Sequence, residues 1–149
     1  MNFTRARAAA VTVGVAGGIA VLAPGSPALA FISPPLVLLG EAQSPAHLVA
    51  AGAAVDVTME YSCTADRMYV DLQITEKVGK KIASGTGSTS VLCDGGTHNT
   101  VIRVAASPSG VAFAKGTAVA NTVVYGCRER NGRGMCGQDL ISRTIAVKK

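Results

Sequence analysis

Apolar and polar side chains alternate along the segment Ala54–Cys63. Val55, Val57, Met59 and Tyr61 occupy every second position, and polar side chains separate them. A period of two places successive side chains on opposite faces of a β-strand, whereas a helix would distribute the same residues around its circumference. The pattern therefore predicts a strand that buries one face and exposes the other.

Further strands are indicated by the same period, or by short apolar runs, between turn signals. Met68–Thr75 is the clearest of them, and its side chains Val70, Leu72 and Ile74 are expected to face the core. Because Asn, Asp, Gly and Pro punctuate the chain, we predict the remaining strands at Lys81–Ser84, Val91–Cys93, Thr97–Ala106, Thr117–Cys127 and Asp139–Val147. Leu36–Gln43 is a candidate for a first edge strand, and His47–Ala51 is a second candidate.

Two stretches carry specific expectations. In Thr117–Cys127, the side chains of Val119, Val123, Tyr125 and Cys127 share one strand face. The Gly, Ser and Thr residues at 85–90 are expected to form a flexible loop. This run lacks the terminal Lys-Ser/Thr and the following helix of a phosphate-binding loop.

Seven or eight short strands, with no helical periodicity after residue 31, predict an all-β domain. An antiparallel β-sandwich satisfies this pattern, and a small barrel is the alternative. The interior is expected to be rich in Val, Ile and Ala, since the chain has three Phe, three Tyr and no Trp. β-branched side chains suit a pleated, half-buried surface.

The first thirty residues have the three parts of a helical, secretory signal peptide. Arg5 and Arg7 supply the positive charge, and Ala8–Leu22 is an uncharged apolar run. Ala28 and Ala30 then place small side chains before a predicted cut at Phe31. An uncleaved anchor is the alternative, but the apolar run is shorter than the roughly 20 residues that span a bilayer.

This division predicts a signal peptide at residues 1–30 and one exported domain at residues 31–149. No transmembrane segment is expected after cleavage. We expect the mature protein to be secreted, either released or retained at the cell envelope.

The exported part carries four cysteines, an even number that predicts disulfides rather than free thiols. Three pairings are possible, and we favour Cys127–Cys136 because Asn131-Gly132 between them is a strong type I′ turn signal. A hairpin that folds there brings its flanking thiols together. Cys63 and Cys93 are then left to pair with each other. The spacing fits no zinc site, and we predict neither a metal nor another cofactor.

The low net charge of the predicted mature chain argues against nucleic acid as a partner. The two leader arginines account for +2 of the formal +5, which leaves +3 on the predicted mature chain. Nucleic-acid binding is not expected, because it usually needs a denser basic stripe with stacking aromatic side chains.

Catalytic chemistry also finds little support. His47 and His98 are the only candidate bases, and no Gly-x-Ser-x-Gly motif is present. We predict that both histidines lie at the surface and that the chain has no catalytic residues. The carboxylates of Glu60, Asp71, Glu76 and Asp94 are mostly explained as solvated strand faces.

The basic turn between Cys127 and Cys136 is the strongest candidate for function. Arg128, Arg130 and Arg133 lie within six residues, and only Glu129 offsets their charge. A disulfide at the base would reduce the entropy that the loop loses on binding. The sequence predicts either an anion-binding tip or a solvated charged turn. The anion could be an acidic protein, a phosphate-bearing wall polymer or a lipid headgroup.

The region Ala54–Ala106 contains four short motifs, Tyr61-Ser62-Cys63, Leu72-Gln73-Ile74, Cys93-Asp94-Gly95 and Thr97-His98. Through these motifs it resembles small secreted actinobacterial proteins with an immunoglobulin-like β-sandwich, many of unassigned function. The resemblance implies an immunoglobulin-like fold and a Cys63–Cys93 bridge, and it implies no activity.

Together these observations predict a secreted, non-enzymatic β-sandwich that binds a partner outside the cell or at the envelope. Two alternatives are a carrier of a small apolar ligand between the sheets, and a small secreted enzyme or inhibitor. A large apolar cavity would indicate the carrier, and a concave pocket with convergent polar groups would indicate the enzyme.

Overall fold

The structure is a computed structural model that describes residues 35–149. This part of the chain is all-β, as predicted, with one 3-10 turn at Ala50–Gly52. The strands are β1 Leu38–Ala42, β2 Ala46–Val49, β3 Ala54–Cys63, β4 Arg67–Val78, β5 Lys81–Leu92, β6 Thr97–Ala106, β7 Gly116–Arg130 and β8 Arg133–Lys148. The predicted signal peptide, with Ala28, Ala30 and Phe31, lies outside the described residues, so its cleavage stays a prediction.

Hydrogen bonding joins seven strands into a closed barrel in the order β3, β6, β5, β4, β7, β8, β2 and back to β3. β1 lies along β3 beyond the end of β2. All neighbouring strands are antiparallel except β2 and β8, which run parallel at Ala46–Val147 and His47–Lys148. The predicted antiparallel sandwich therefore holds only in part. The alternation of apolar and polar residues indicates which face of a strand is buried. It does not indicate whether the two edge strands of a sheet hydrogen-bond to each other and close a barrel.

The core follows the predicted alternation on β3 and β4. Val55, Val57 and Met59 of β3 are buried, and the polar side chains between them are not. On β4 the buried positions begin at Met68 and continue at every second residue to Glu76. The remaining strands complete one continuous interior with the buried side chains of Leu38, Ala83, Ile102, Val104, Ala118, Ala120, Val124, Ile145 and Val147.

Strand β7 buries its small side chains and exposes its large ones. Ala118, Ala120 and Val124 face the core, whereas Val119 and Tyr125 are more than 40% exposed. Apolar residues occupy both faces of this strand, so the period of two does not show which face is buried. The face shared by Val119, Val123, Tyr125 and Cys127 is the outer one.

The prediction of a flexible loop at residues 85–90 is wrong, because these residues belong to β5. β4 pairs with all twelve residues of β5, and this ladder fixes a sequence that has weak strand preference of its own. β5 then meets β6 at only two pairs, Gly85–Ala106 and Thr86–Ala105. A Cβ atom at Gly85 would overlap the carbonyl oxygen of Ala105, so glycine permits the close approach that closes the barrel.

A segment between β6 and β7 covers one end of the barrel. Phe113 is buried there, and its N–H donates to the carbonyl oxygen of Gly52 at 2.9 Å. The N–H of Ala114 donates to Oε2 of Glu76 at 3.0 Å. Glu76 is only 2% exposed, so this carboxylate corrects the interpretation of the strand carboxylates as solvated.

The structure confirms both favoured disulfides. Cys63–Cys93 joins the end of β3 to the segment after β5, with a Cα–Cα distance of 5.1 Å. The N–H of Gly95 also donates to the carbonyl oxygen of Cys63 at 3.0 Å. This bridge ties β5 to β3 at the end where β5 and β6 do not pair.

An exposed ion pair crosses β3 and β6 at the directly opposite residues Asp56 and Arg103. The guanidinium donates from Nε to Oδ1 at 2.7 Å and from Nη2 to Oδ2 at 2.8 Å. These hydrogen bonds lower the pKa of Asp56 below its ordinary value of 3.8. The carboxylate is therefore held in its charged form by a bidentate partner.

We expect Gly85→Ala to lower the free energy of unfolding by about 1–3 kcal/mol, the usual cost of overpacking. The added methyl group meets backbone atoms of β6, which cannot rotate away. Gly134→Ala is the matched control, because its Cβ would meet nothing within 4 Å. Urea unfolding measures both. Equal stability of the two variants would contradict the assigned role of Gly85.

Arg103→Gln is expected to raise the pKa of Asp56 toward 3.8, which carboxyl NMR titration measures. Because the folded pKa is depressed, the pair stabilises the fold fully above the unfolded-state pKa. Its contribution is lost as the pH falls through the folded pKa. The difference in urea midpoint between wild type and variant should therefore shrink on acidification, and a constant difference would contradict this.

Candidate functional site

The hairpin of β7 and β8 is the longest ladder of the described structure, with fifteen residue pairs from Gly116–Val147 to Arg130–Arg133. Its two-residue turn is Asn131-Gly132, with φ angles of 53° and 71°. Positive φ at both central positions is the requirement of a type I′ turn, whose twist matches that of the strands. The turn signal in the sequence is thus confirmed.

The tip of this hairpin extends beyond its neighbour. The ladder of β4 with β7 ends at the pair Arg67–Cys127, so residues 128–133 have no partner on the β4 side. Cys127 and Cys136 are directly opposite each other at this last row, with Cα atoms 4.0 Å apart. The disulfide therefore covalently links the two strands at the point where the tip leaves the barrel.

The three arginines lie on one face of the tip. Arg130 and Arg133 are directly opposite each other, and Arg128 is two residues from Arg130 on the same strand. Directly opposite residues of an antiparallel pair, and residues two apart on one strand, point to the same side. We call this surface the arginine face. Glu129 belongs to the opposite face, together with the disulfide.

The arginine face continues the side of β7 that faces the core further along the strand. Ala120 and Val124 are buried on that side within the barrel. Beyond Cys127 no strand covers it, and Arg130 and Arg133 are exposed. The face of β7 that packs in the core within the barrel is thus a cationic surface at the tip.

The base of the tip is anchored to the turn between β3 and β4. Nη1 of Arg128 donates to the carbonyl oxygen of Thr64 at 3.4 Å. The backbone N–H of Glu129 donates to Oδ2 of Asp66 at 3.2 Å, and the N–H of Asp66 donates to the carbonyl oxygen of Cys127 at 3.1 Å. Arg128 therefore has a structural partner, and the outer two arginines carry the open charge.

Arg130 and Arg133 form no ion pair with any residue of the described chain. Like charges directly opposite each other on neighbouring strands destabilise a hairpin. Arg130 and Arg133 are the last residue pair before the two-residue turn. Two guanidinium groups on one face can together donate hydrogen bonds to a phosphate or carboxylate group, with bidentate geometry available to each.

The two histidines lie elsewhere. His98 is the second residue of β6, and its Nε2 is 2.8 Å from Oδ1 and 3.0 Å from Oδ2 of Asp94. The hydrogen bond from His98, and one from the N–H of Gly96, lower the pKa of Asp94. His47 on β2 is opposite Asp56 of β3. Among the described residues, no ion pair joins either imidazole to the arginine face.

Over residues 35–149, no group of three or more His, Cys, Asp or Glu side chains is arranged to hold a metal ion. The same residues include no helix long and apolar enough to cross a membrane.

Sequence reasoning found the arginines but not their arrangement. The division of Arg130 and Glu129 between opposite faces follows from the turn position, so the Asn-Gly signal could have revealed it. The exposed outer side of β7 was missed because its apolar side chains resemble a core pattern.

Compared with protein-family models, with curated proteins and with solved structures, the chain matches none. The resemblance to secreted actinobacterial proteins therefore stays a prediction.

Replacing both Cys127 and Cys136 by Ser is expected to loosen the tip selectively. Loop-closure entropy predicts a loss of stability of up to about 3 kcal/mol. Amide hydrogen exchange at residues 128–134 should accelerate more than exchange in β3. The control replaces Cys63 and Cys93 by Ser, which should destabilise the whole fold without this local effect. Unchanged exchange at the tip would contradict the role of the disulfide.

Proposed function

We propose that this chain is a secreted, non-enzymatic β-domain that binds an anionic component of the cell envelope, or an acidic protein there, through the arginine face. The observation that carries the proposal is the direct opposition of Arg130 and Arg133. Neither forms an ion pair with a described residue, although their mutual repulsion opposes hairpin formation. A bound anion would remove that repulsion.

The position of the arginines supports binding rather than fold stability. They project past the end of β4, so an extended surface can approach them without contacting the barrel wall. The disulfide at Cys127–Cys136 restricts the tip before binding, which lowers the entropy that binding costs. Disulfides also persist in oxidising compartments, in agreement with the predicted export.

The finer fold assignment belongs to the same proposal. We infer that the barrel is a flattened member of the immunoglobulin-like class. The neighbours β4, β7 and β8 correspond in order to one characteristic sheet, and β3 beside β6 corresponds to the centre of the other. Such sandwiches commonly bind partners through loops at one end, which is where the arginine face lies.

Binding to isolated cell envelope is expected to weaken when Arg130 and Arg133 are both replaced by Ala. Each cation near an anionic surface contributes about 1 kcal/mol, so the affinity should fall roughly 30-fold at low salt. Wild-type binding should also fall steeply as salt is raised, because exposed charges are screened. Replacing Arg128 as well should weaken binding further.

The matched control removes charge at the opposite end of the barrel, with Lys80→Ala and Lys81→Ala at the turn between β4 and β5. These changes should leave binding nearly intact. The free energy of unfolding of the arginine variant should be unchanged or a few tenths of a kcal/mol higher, because a like-charge pair is removed. Binding that is insensitive both to salt and to the arginines would exclude the proposal.

A further inference from the structure

The solvent-exposed side of β5, β4, β7 and β8, which we call the outer face, carries most of the large hydrophobic side chains that are exposed in the described part of the chain. The described part of the chain has nine large hydrophobic side chains that are strongly exposed, and six of them lie here. Four of the six are close neighbours across adjacent strands, whereas Ile82 and Val119 lie farther along the sheet. Clusters of exposed apolar side chains commonly mark a protein–protein contact. The six side chains are Tyr69, Ile82, Leu92, Val119, Tyr125 and Leu140.

Strand register arranges the outer face in rows that cross all four strands. One row consists of Ser90, Tyr69, Tyr125 and Gln138, and we call it the tyrosine row. Its two rings are stacked, with centroids 5.1 Å apart and planes inclined by 12°. Both tyrosines are more than 40% exposed, so the stack leaves much of each ring available to a partner.

The rows on either side of the tyrosine row differ in a systematic way. On the side of the hairpin tip, β4 carries Arg67, and β7 and β8 carry the exposed disulfide Cys127–Cys136. On the other side, β4 carries Asp71, and β7 and β8 carry the apolar pair Val123 and Leu140. About the tyrosine row, β4 thus carries a cation on one side and an anion on the other, and β7 and β8 carry sulfur on one side and hydrocarbon on the other. On β5 the corresponding residues are Leu92 and Ser88.

The geometry points to a symmetric dimer in which two copies of this chain pack their outer faces together. The two-fold axis would run along the tyrosine row, perpendicular to the strands and between the two faces. This rotation keeps β4 over β4 and β7 over β7 while reversing their direction. An interface of this kind is isologous, so the surface must complement itself.

The rows satisfy that requirement on β4, β7 and β8. The axis places Arg67 of each copy over Asp71 of the other, which forms two ion pairs. It places each disulfide over Val123 and Leu140, so that apolar surface meets apolar surface. Tyr69 and Tyr125 meet their own counterparts at the centre, where interface energy is usually concentrated.

One further row on each side continues the match. Asn121 lies two residues beyond Val123, and Glu129 lies two residues beyond Cys127 on the same face of β7. The rotation brings the Asn121 amide of one copy to the Glu129 carboxylate of the other. Glu129 forms no ion pair within residues 35–149, so its carboxylate is available to accept this hydrogen bond.

The area suits a reversible dimer. With strands about 4.8 Å apart and rows about 6.8 Å apart, three rows overlap on all four strands and two more on β7 and β8 alone, which gives a footprint of roughly 500 Å² on each copy. The total is in the range of weak, transient complexes, which bury less than about 1,200 Å². The reversed strand directions would place the two arginine faces at opposite ends of the dimer, although the dimer itself does not depend on their function.

Charge reversal tests the register directly. Wild-type protein should show a concentration-dependent equilibrium between monomer and dimer in sedimentation velocity. Arg67→Glu and Asp71→Arg should each weaken self-association at least tenfold, because each creates two like-charge contacts. An equimolar mixture of the two variants should restore association, because both inter-copy pairs are then complementary in the heterodimer.

Lys77→Glu is the matched control, since it reverses an exposed charge on β4 outside the overlap. It should leave the equilibrium nearly unchanged, and circular dichroism should confirm that all variants fold. A wild type that stays monomeric at all concentrations would overturn the inference. So would variants that dimerise like wild type, or a mixture that associates no better than its separate components.

Discussion

The structure depends on closing one sheet through two short seams. β5 meets β6 at two residue pairs, and β2 meets β8 at two more, whereas β3 pairs with β6 at nine and β7 with β8 at fifteen. Only a main chain without a Cβ can approach as closely as Gly85 approaches Ala105. If this contact opened, β5 would separate from β6, and the side chains beneath it would meet water. The small residues in this part of the chain are therefore a condition of the fold and not a sign of disorder.

The sequence predicted the fold best where information is local. β3 and β4 could be predicted because polar and apolar residues alternate along each strand, which makes one face polar and the other apolar. The Asn131-Gly132 turn and the Cys127–Cys136 disulfide could be predicted because both depend on neighbouring residues. β5 could not, because its extended form comes from pairing with β4 and not from its own Gly and Ser residues. Barrel closure could not be predicted either, since it depends on strands far apart in the chain.

The candidate site could also be predicted only in part from the sequence. The three arginines are visible in the sequence, but their meaning changes once Arg130 is seen opposite Arg133 and Glu129 on the other side. The sequence shows that Val119, Val123, Tyr125 and Cys127 share one face, but it does not show that this face is exposed. The rows of the outer face combine residues from four strands, and Arg67 and Asp71 gain significance only from their positions about the tyrosine row. Buried Glu76 could have been found, because it continues the inward phase of Leu72 and Ile74.

The overhanging tip also determines how the protein bears mechanical load. A force on the tip along the strand direction acts at right angles to the hydrogen bonds of the antiparallel ladders. Ten residue pairs hold β7 to β4, so these bonds share such a force in shear instead of breaking one after another. β8 has only two pairs with β2 on its other side, but the Cys127–Cys136 bridge transfers its share to β7. Attachment through the tip would thus be mechanically strongest under tension along the long axis of the hairpin.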